Sequence, residues 1–146
     1  MIIKVCIQVA GGSDEKNRYN EKTLEYRGTS RVSRPYPYPY GFILETNGAD
    51  GDNLDCYLIT REPLQAGTIV ECEPLALLEQ DEDGEIDHKV LATLPGQVVE
   101  VGQGLLQELQ DFIYEVFRQF PDVRVHVGNI LPREAAVHHI QLNREA

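Results

Sequence analysis

Ile3, Val5, Ile7 and Val9 alternate with Lys4, Cys6 and Gln8 at the start of the chain. A period of two predicts a strand with one buried face. Gly11-Gly12-Ser13-Asp14 stops it, and residues 18–27 read as a short hairpin or loop. Strands are predicted over 42–44, 54–60, 68–78, 89–94 and 98–101, with turn chemistry at 47–51 and 63–67. Glu82-Asp83-Gly84-Glu85 is a hairpin tip, because Asp-Gly supplies positive φ angles. The period then changes. Leu105, Leu109, Phe112, Ile113, Val116, Phe117 and Phe120 recur three or four apart, which predicts an amphipathic helix over about 105–120. Val123, Val125 and Val127 alternate again, and Pro132 opens a last helix holding Ala135, Ala136, Val137 and Ile140. Many short strands followed by two late helices predict a small barrel, in one domain covering residues 1–146.

Composition changes this picture little. The length suits one domain of roughly 100–200 residues. Charge is more informative: 24 Asp and Glu stand against 13 Lys and Arg, for a net charge of −11. Such a chain repels nucleic acid and anionic membranes at long range. It suits a protein that collects cations, although many acidic proteins are merely soluble. The three cysteines, Cys6, Cys56 and Cys72, form no C-x-x-C pair. They read as small buried hydrophobes in a reducing cytoplasm, and as neither a disulfide framework nor a zinc site. No apolar run is long enough to span a membrane, and no leader pattern is visible.

Candidate chemistry concentrates in Asp50-Gly51-Asp52-Asn53-Leu54-Asp55. Three carboxylates on a turn repel one another unless a cation neutralises them, and hard divalent cations want such oxygen ligands. A solvated acidic turn is the competing reading. A calcium EF-hand loop fails, because Asp55 falls where Gly is required and Arg61 where Glu is required. A second acidic run, 81–87, precedes Lys89. Asp83 and Glu85 read as a polar hairpin tip, whereas Asp87 and Lys89 alternate onto one strand face. A cation-binding carboxylate beside a phosphate-binding lysine is coherent chemistry for a metal–phosphate complex.

Arg34-Pro35-Tyr36-Pro37-Tyr38-Pro39-Tyr40-Gly41-Phe42 is a rigid extended path ending at a glycine. Its tyrosine hydroxyls can hydrogen-bond phosphate oxygens, or the rings can simply pack. Arg18, Arg27, Lys89 and Arg118 are candidates to offset phosphate charge. His88, His126, His138 and His139 lack zinc-site spacing and read as structural or exposed. There is no P-loop, no Ser or Cys nucleophile motif and no dinucleotide fingerprint.

In this order and spacing, Y-P-Y-P-Y-G-F-I, D-G-D-N-L-D, P-L-Q-A-G and D-E-D-G-E-I-D-H-K resemble the soluble family I inorganic pyrophosphatases. The likeness is sharpest over residues 35–95 and faint before residue 27. It implies a mainly β, α+β fold: a five-stranded OB-like barrel with flanking helices. It also implies Mg²⁺-dependent hydrolysis of pyrophosphate to two phosphates, with several ions per site, in a cytoplasmic homo-oligomer that is often a hexamer. By resemblance, Asp50, Asp55 and Asp87 match metal ligands, as does Glu82 or Asp81, with the register between those two open. Asp52 matches the carboxylate that helps deprotonate the attacking water and also faces the metals. Tyr36, Tyr40, Lys89 and Arg27 match substrate contacts. Arg18 and Arg118 stand where lysines are usual, Phe117 where a tyrosine is usual, and Pro39 where an asparagine is usual. Gln8 and Asn20 stand in place of two glutamates. These departures leave two alternatives to an active pyrophosphatase: a weakened metal- and phosphate-binding paralogue, or a hydrolase of another phosphoanhydride.

Overall fold

The computed structural model describes residues 1–145. Nine strands precede or flank two helices: β1 (Ile3–Val9), β2 (Glu15–Tyr19), β3 (Tyr26–Arg31), β4 (Tyr40–Ile43), β5 (Asp55–Leu58), β6 (Ile69–Glu82), β7 (Glu85–Ile86), β8 (Lys89–Thr93), α1 (Gln103–Phe117), β9 (Val125–Leu131) and α2 (Arg133–Leu142). Hydrogen bonding runs β1-β4-β5-β8-β6, and β6 pairs back onto β1. That pairing closes a five-stranded barrel, the OB-like architecture implied by the sequence. β5 and β8 are parallel, and the other pairs are antiparallel. β7 and β9 extend the sheet from the long β6, while β2 and β3 form a separate hairpin.

Alternation along the strands builds two cores on opposite sides of the barrel wall. Tyr57 and Leu91 pack with Tyr40, Leu78 and the α1 residues Leu105, Leu109 and Phe112. Their neighbours Cys56, Leu58, Val90 and Ala92 pack with Ile3, Val5, Ile7 and the α2 residues Ala136 and Ile140. Cys6, Cys56 and Cys72 are unpaired and buried. At about 25 cal/mol per Å², each large aliphatic side chain so buried stabilises the fold by about 1.5–3 kcal/mol.

Three elements differ from the sequence reading. β1 is buried on both faces apart from Lys4. It is paired on both edges, and the β2–β3 hairpin covers it, with Asn17 donating to the Gln8 carbonyl at 2.8 Å. Residues 98–101 form no strand, and Val98 is 99% exposed. Strand propensity needs a free ladder edge, and β8 is already paired to β5 and β6. α1 begins and ends earlier than its apolar periodicity suggests, so Phe120 lies in a turn beyond the helix. The Asp83-Gly84 tip forms as expected, with φ of 54° and 83°.

The closest approach in the barrel is at Gly41. A Cβ there would lie 1.8 Å from the Cys6 carbonyl oxygen, so β1 and β4 can pair only across a glycine. Gly41→Ala is expected to cost about 3 kcal/mol or more, the upper range for overpacking. Urea denaturation checks this, and a loss under about 1 kcal/mol would contradict the steric argument.

Candidate active site

The starts of β5 and β8 and the end of β6 meet at one mouth of the barrel, and the Tyr40 side chain reaches them from β4, which runs antiparallel to β5. Tyr40, Asp55 and Lys89 are the first residues of their strands, and Glu82 is the last of β6. The Lys89 ammonium lies 2.7 Å from Asp55 Oδ2, 3.0 Å from Asp87 Oδ2 and 3.2 Å from the Tyr40 hydroxyl. The side chain is only 7% exposed. A cleft of about 570 Å³ opens above it, lined by Gln8, Lys16, Arg18, Glu21, Arg31, Tyr36, Tyr40, Asp52, Asp55, Glu82, Asp87 and Lys89 on its polar sides. The far wall is α1 and the turn after it: Phe112, Ile113, Val116, Phe117 and Phe120.

Electrostatics follow from that crowding. Burial opposes the charge on Lys89, but Asp55, Tyr40 and Asp87 outweigh it and hold the ammonium well above its ordinary pKa. Glu82 is pushed up to about 7 by its hydrogen bond to Asp87, then by burial and by the Asp87 charge. Burial works against ionised Asp87 too, but the Glu82 hydrogen bond and Lys89 prevail and lower it. Glu21 is also raised to about 7, chiefly by burial and then by Asp55, although the Asn53 amide donates to it at 3.0 Å. Two carboxylic acids keep protons to near neutral pH because burial and neighbouring carboxylates both disfavour their charge. Lys16 is lowered by burial, with Lys89 and Arg18 adding to the effect and Asp55 opposing it.

The donor set therefore suits a hard divalent cation: carboxylate oxygens from five residues face one cleft, and a cation would displace the protons held on Glu21 and Glu82. Among the described residues, no three His, Cys, Asp or Glu side chains stand as a ready-made cage. Lys89 instead occupies the space between Asp55 and Asp87.

The structure gathers Asp52, Asp55, Asp87, Glu82, Lys89, Tyr36, Tyr40, Arg18, Gln8 and Phe117 at the cleft. It separates others from it. Arg27 is exposed on β3, with Nε 3.9 Å from Glu25, and Arg118 lies on the outer face of α1 against Glu115 at 3.2 Å. Neither lines the cleft. Asn20 is a turn residue whose Oδ1 caps the Lys22 and Thr23 amides at 3.0 Å. Asp50 lines a smaller cavity behind Asp55 and Asp87, and its Oδ1 accepts the Asp52 amide at 3.0 Å. Between the alternatives Asp81 and Glu82, the cleft residue is Glu82, and Asp81 turns to His126 at 3.4 Å.

Sequence reasoning missed Lys16, Glu21 and Arg31. Strand alternation puts Lys16 and Arg18 on one face of β2, and that signal was available. The chain turns directly after β2, with Asn20 capping the turn, and Glu21, not Asn20, lines the cleft. A glutamate is therefore present on this side after all. The histidines are structural or exposed as read; His88 Nδ1 accepts the Gln80 amide at 3.0 Å.

A closed five-stranded barrel with five carboxylates and one buried ammonium at its cleft defines the class, an OB-like barrel protein with a mixed-charge cleft. The comparisons narrow it. The model of the inorganic pyrophosphatase family matches residues 5–145. An inorganic pyrophosphatase of Nostoc sp. is 34% identical over 89% of this chain and 80% of its own length. That of Nanoarchaeum equitans is 32% identical over 76% and 69%. The crystal structure of inorganic pyrophosphatase from Thermus thermophilus superposes with a TM-score of 0.85 at 26% identity, covering 96% of this chain and 87% of that one. The chain belongs to the inorganic pyrophosphatase family.

The raised Glu21 gives a test of this disfavoured charge in the metal-free protein. Its folded pKa of about 7 exceeds the ordinary 4.5. Its contribution is therefore fully present below about pH 4.5 and lost as pH rises through 7. Glu21→Gln keeps an acceptor for the Asn53 amide and removes the charge. The variant is expected to melt above the parent at pH 8 in EDTA, with the difference gone at pH 5. Equal melting temperatures at both pH values would contradict the strained carboxylate.

Proposed function

We propose that this cleft hydrolyses inorganic pyrophosphate to two phosphates, which makes the chain an inorganic diphosphatase, a hydrolase acting on phosphoanhydrides. The observation that carries the reading is the buried Lys89 bridged to Asp55, Asp87 and Tyr40, with Asp52 on the same cleft. It has the two signs of charge that a metal–pyrophosphate complex requires.

Asp52, Asp55, Asp87 and Glu82 are the residues we assign to Mg²⁺, with Glu21 beside them and Asp50 supporting the turn from behind. Bound there, several Mg²⁺ ions supply Lewis acidity, lowering the pKa of water and neutralising phosphate charge. The chain's own residues do the rest. Asp52, exposed on its turn, accepts the proton of the attacking water. Lys16, Arg18, Arg31 and Lys89 bind phosphate oxygens, and the arginines can do so with paired donors. Tyr40 and Tyr36 donate from neutral hydroxyls, because burial raises both, Tyr36 to about 12. Asp55 and Asp87 would hold the cations, and Lys89, which now bridges them, is placed to meet the charge developing on the leaving phosphate. Arg27 and Arg118 carry no role in this assignment.

Gln8 favours a second reading. It places a neutral amide in the cleft where the family resemblance implies a carboxylate, and Phe117 brings a ring without a hydroxyl. Both point to a weakened paralogue that binds metal and phosphate, and turnover separates the two readings.

We further propose a homo-oligomer, the hexamer that the family resemblance implies, supported by exposed Ile69, Ile86 and Leu142. A reducing cytoplasm is supported by three unpaired thiols. No helix among the described residues is long and apolar enough to cross a membrane.

Purified protein is expected to release phosphate from pyrophosphate with Mg²⁺ and to stop in EDTA. Asp52→Asn is expected to lower kcat at least 100-fold with an unchanged melting temperature, in line with loss of a general base. Unchanged turnover in that variant removes the role from Asp52. A folded parent that binds Mg²⁺ and releases no phosphate selects the paralogue. Lys16→Ala is expected to raise KM for pyrophosphate about tenfold, checked by steady-state kinetics, as expected for one lost charged phosphate contact.

A further inference from the structure

The cleft is divided in two. One side carries Lys16, Arg18 and Arg31 from the hairpin over the Asp55–Lys89–Asp87 floor. The opposite side is apolar throughout: Phe112, Ile113, Val116, Phe117 and Phe120. Phe112 and Ile113 belong to the core, but Phe120 does not. It sits beyond the end of α1, is 53% exposed, and meets Phe117 edge to face with centroids 6.2 Å apart. Its amide bonds to the Phe117 carbonyl at 2.9 Å, which fixes the turn that holds the ring at the cleft. Pyrophosphate is polar on every side and gives these rings nothing to contact. A partly exposed aromatic pair beside a phosphate floor matches a ligand with an anionic head and an aromatic group.

We infer that the cleft also admits and hydrolyses diphosphate monoesters whose ester group carries an aromatic ring, with that ring against Phe120 and the diphosphate on Lys16, Arg18 and Lys89. The inference rests on the phosphoanhydride-hydrolysing reading of the same site. In the reaction, water oxygen bonds to the terminal phosphorus. The bond from that phosphorus to the bridging oxygen breaks, and its electron pair stays with the bridging oxygen. The products are orthophosphate and the phosphate monoester, and the proton lost by the water passes through Asp52 to solvent. No redox partner is needed.

The test compares pyrophosphate, adenosine diphosphate and methyl diphosphate with Mg²⁺, in the parent and in Phe120→Ala. Phosphate release from adenosine diphosphate is expected with kcat/KM at least fivefold above methyl diphosphate, the scale of one ring-stacking contact. Phe120→Ala is expected to remove that preference and leave pyrophosphate turnover unchanged. Cleavage of pyrophosphate alone, or equal kcat/KM for the two esters, overturns the inference and leaves the pyrophosphatase reading standing. Cleavage of adenosine diphosphate alone supports the inference and overturns pyrophosphate as the substrate. No cleavage of any of the three overturns both.

Discussion

The structure turns on one buried ammonium. Lys89 is enclosed at the barrel mouth, and it stays charged only because Asp55, Asp87 and Tyr40 surround it. Asp55 starts β5 and Lys89 starts β8, so the ion pair sits where two parallel strands enter the barrel together. Removing both carboxylates would leave the buried ammonium uncompensated, at a cost of about 3–5 kcal/mol. The same pair is the part of the cleft that must be rearranged when cations arrive. A site with carboxylates alone would be strongly self-repelling before metal binding, and Lys89 relieves part of that repulsion. Protons on Glu82 and Glu21 relieve more of it.

The barrel was largely legible because its short apolar runs are bounded by turn residues and because glycine stands where only glycine fits. Gly41 is the sharpest case, since the sequence marked it as a close-approach residue and the Cys6 carbonyl occupies the space of its missing side chain. The errors have a common origin. Residues 98–101 have strand composition without a strand to pair with, and pairing is a tertiary property. β1 looked half-exposed because nothing local announces that a hairpin lies across its outer face. α1 carries apolar residues past its end because Phe120 lines a cleft and not the core.

The same distinction explains which site residues were legible. Asp52, Asp55, Asp87 and Lys89 sit next to strand starts, where sequence spacing translates directly into position. Residues of the β2–β3 hairpin were harder. Its two strands form their own sheet, and a register shift at Arg18 and Tyr19 breaks simple counting. Beyond β2 strand alternation no longer applies, so Asn20 caps the turn and Glu21 faces the cleft. Arg27 and Arg118 rest on their chemistry and on the family resemblance, and neither says which way a surface arginine points.

Correcting the hairpin changes the charge argument. With Asn20 in the cleft, two negative charges would be missing and weaker metal binding would follow. With Glu21 there, the cleft holds five carboxylates against Lys16, Arg18, Arg31 and Lys89. Those groups lie close to balance once Glu21 and Glu82 hold protons, and become net negative as the protons leave near pH 7. Divalent cations compete with protons for the same oxygens, so metal affinity must rise through that pH range. Gln8 is the remaining neutral position in the polar half, and it lies on the strand the hairpin covers. The departures from the family pattern therefore lie toward the hairpin and the α1 wall, away from the Lys89 floor. Under the proposed function, that distribution keeps the Lys89 floor intact and concentrates change around the rest of the cleft.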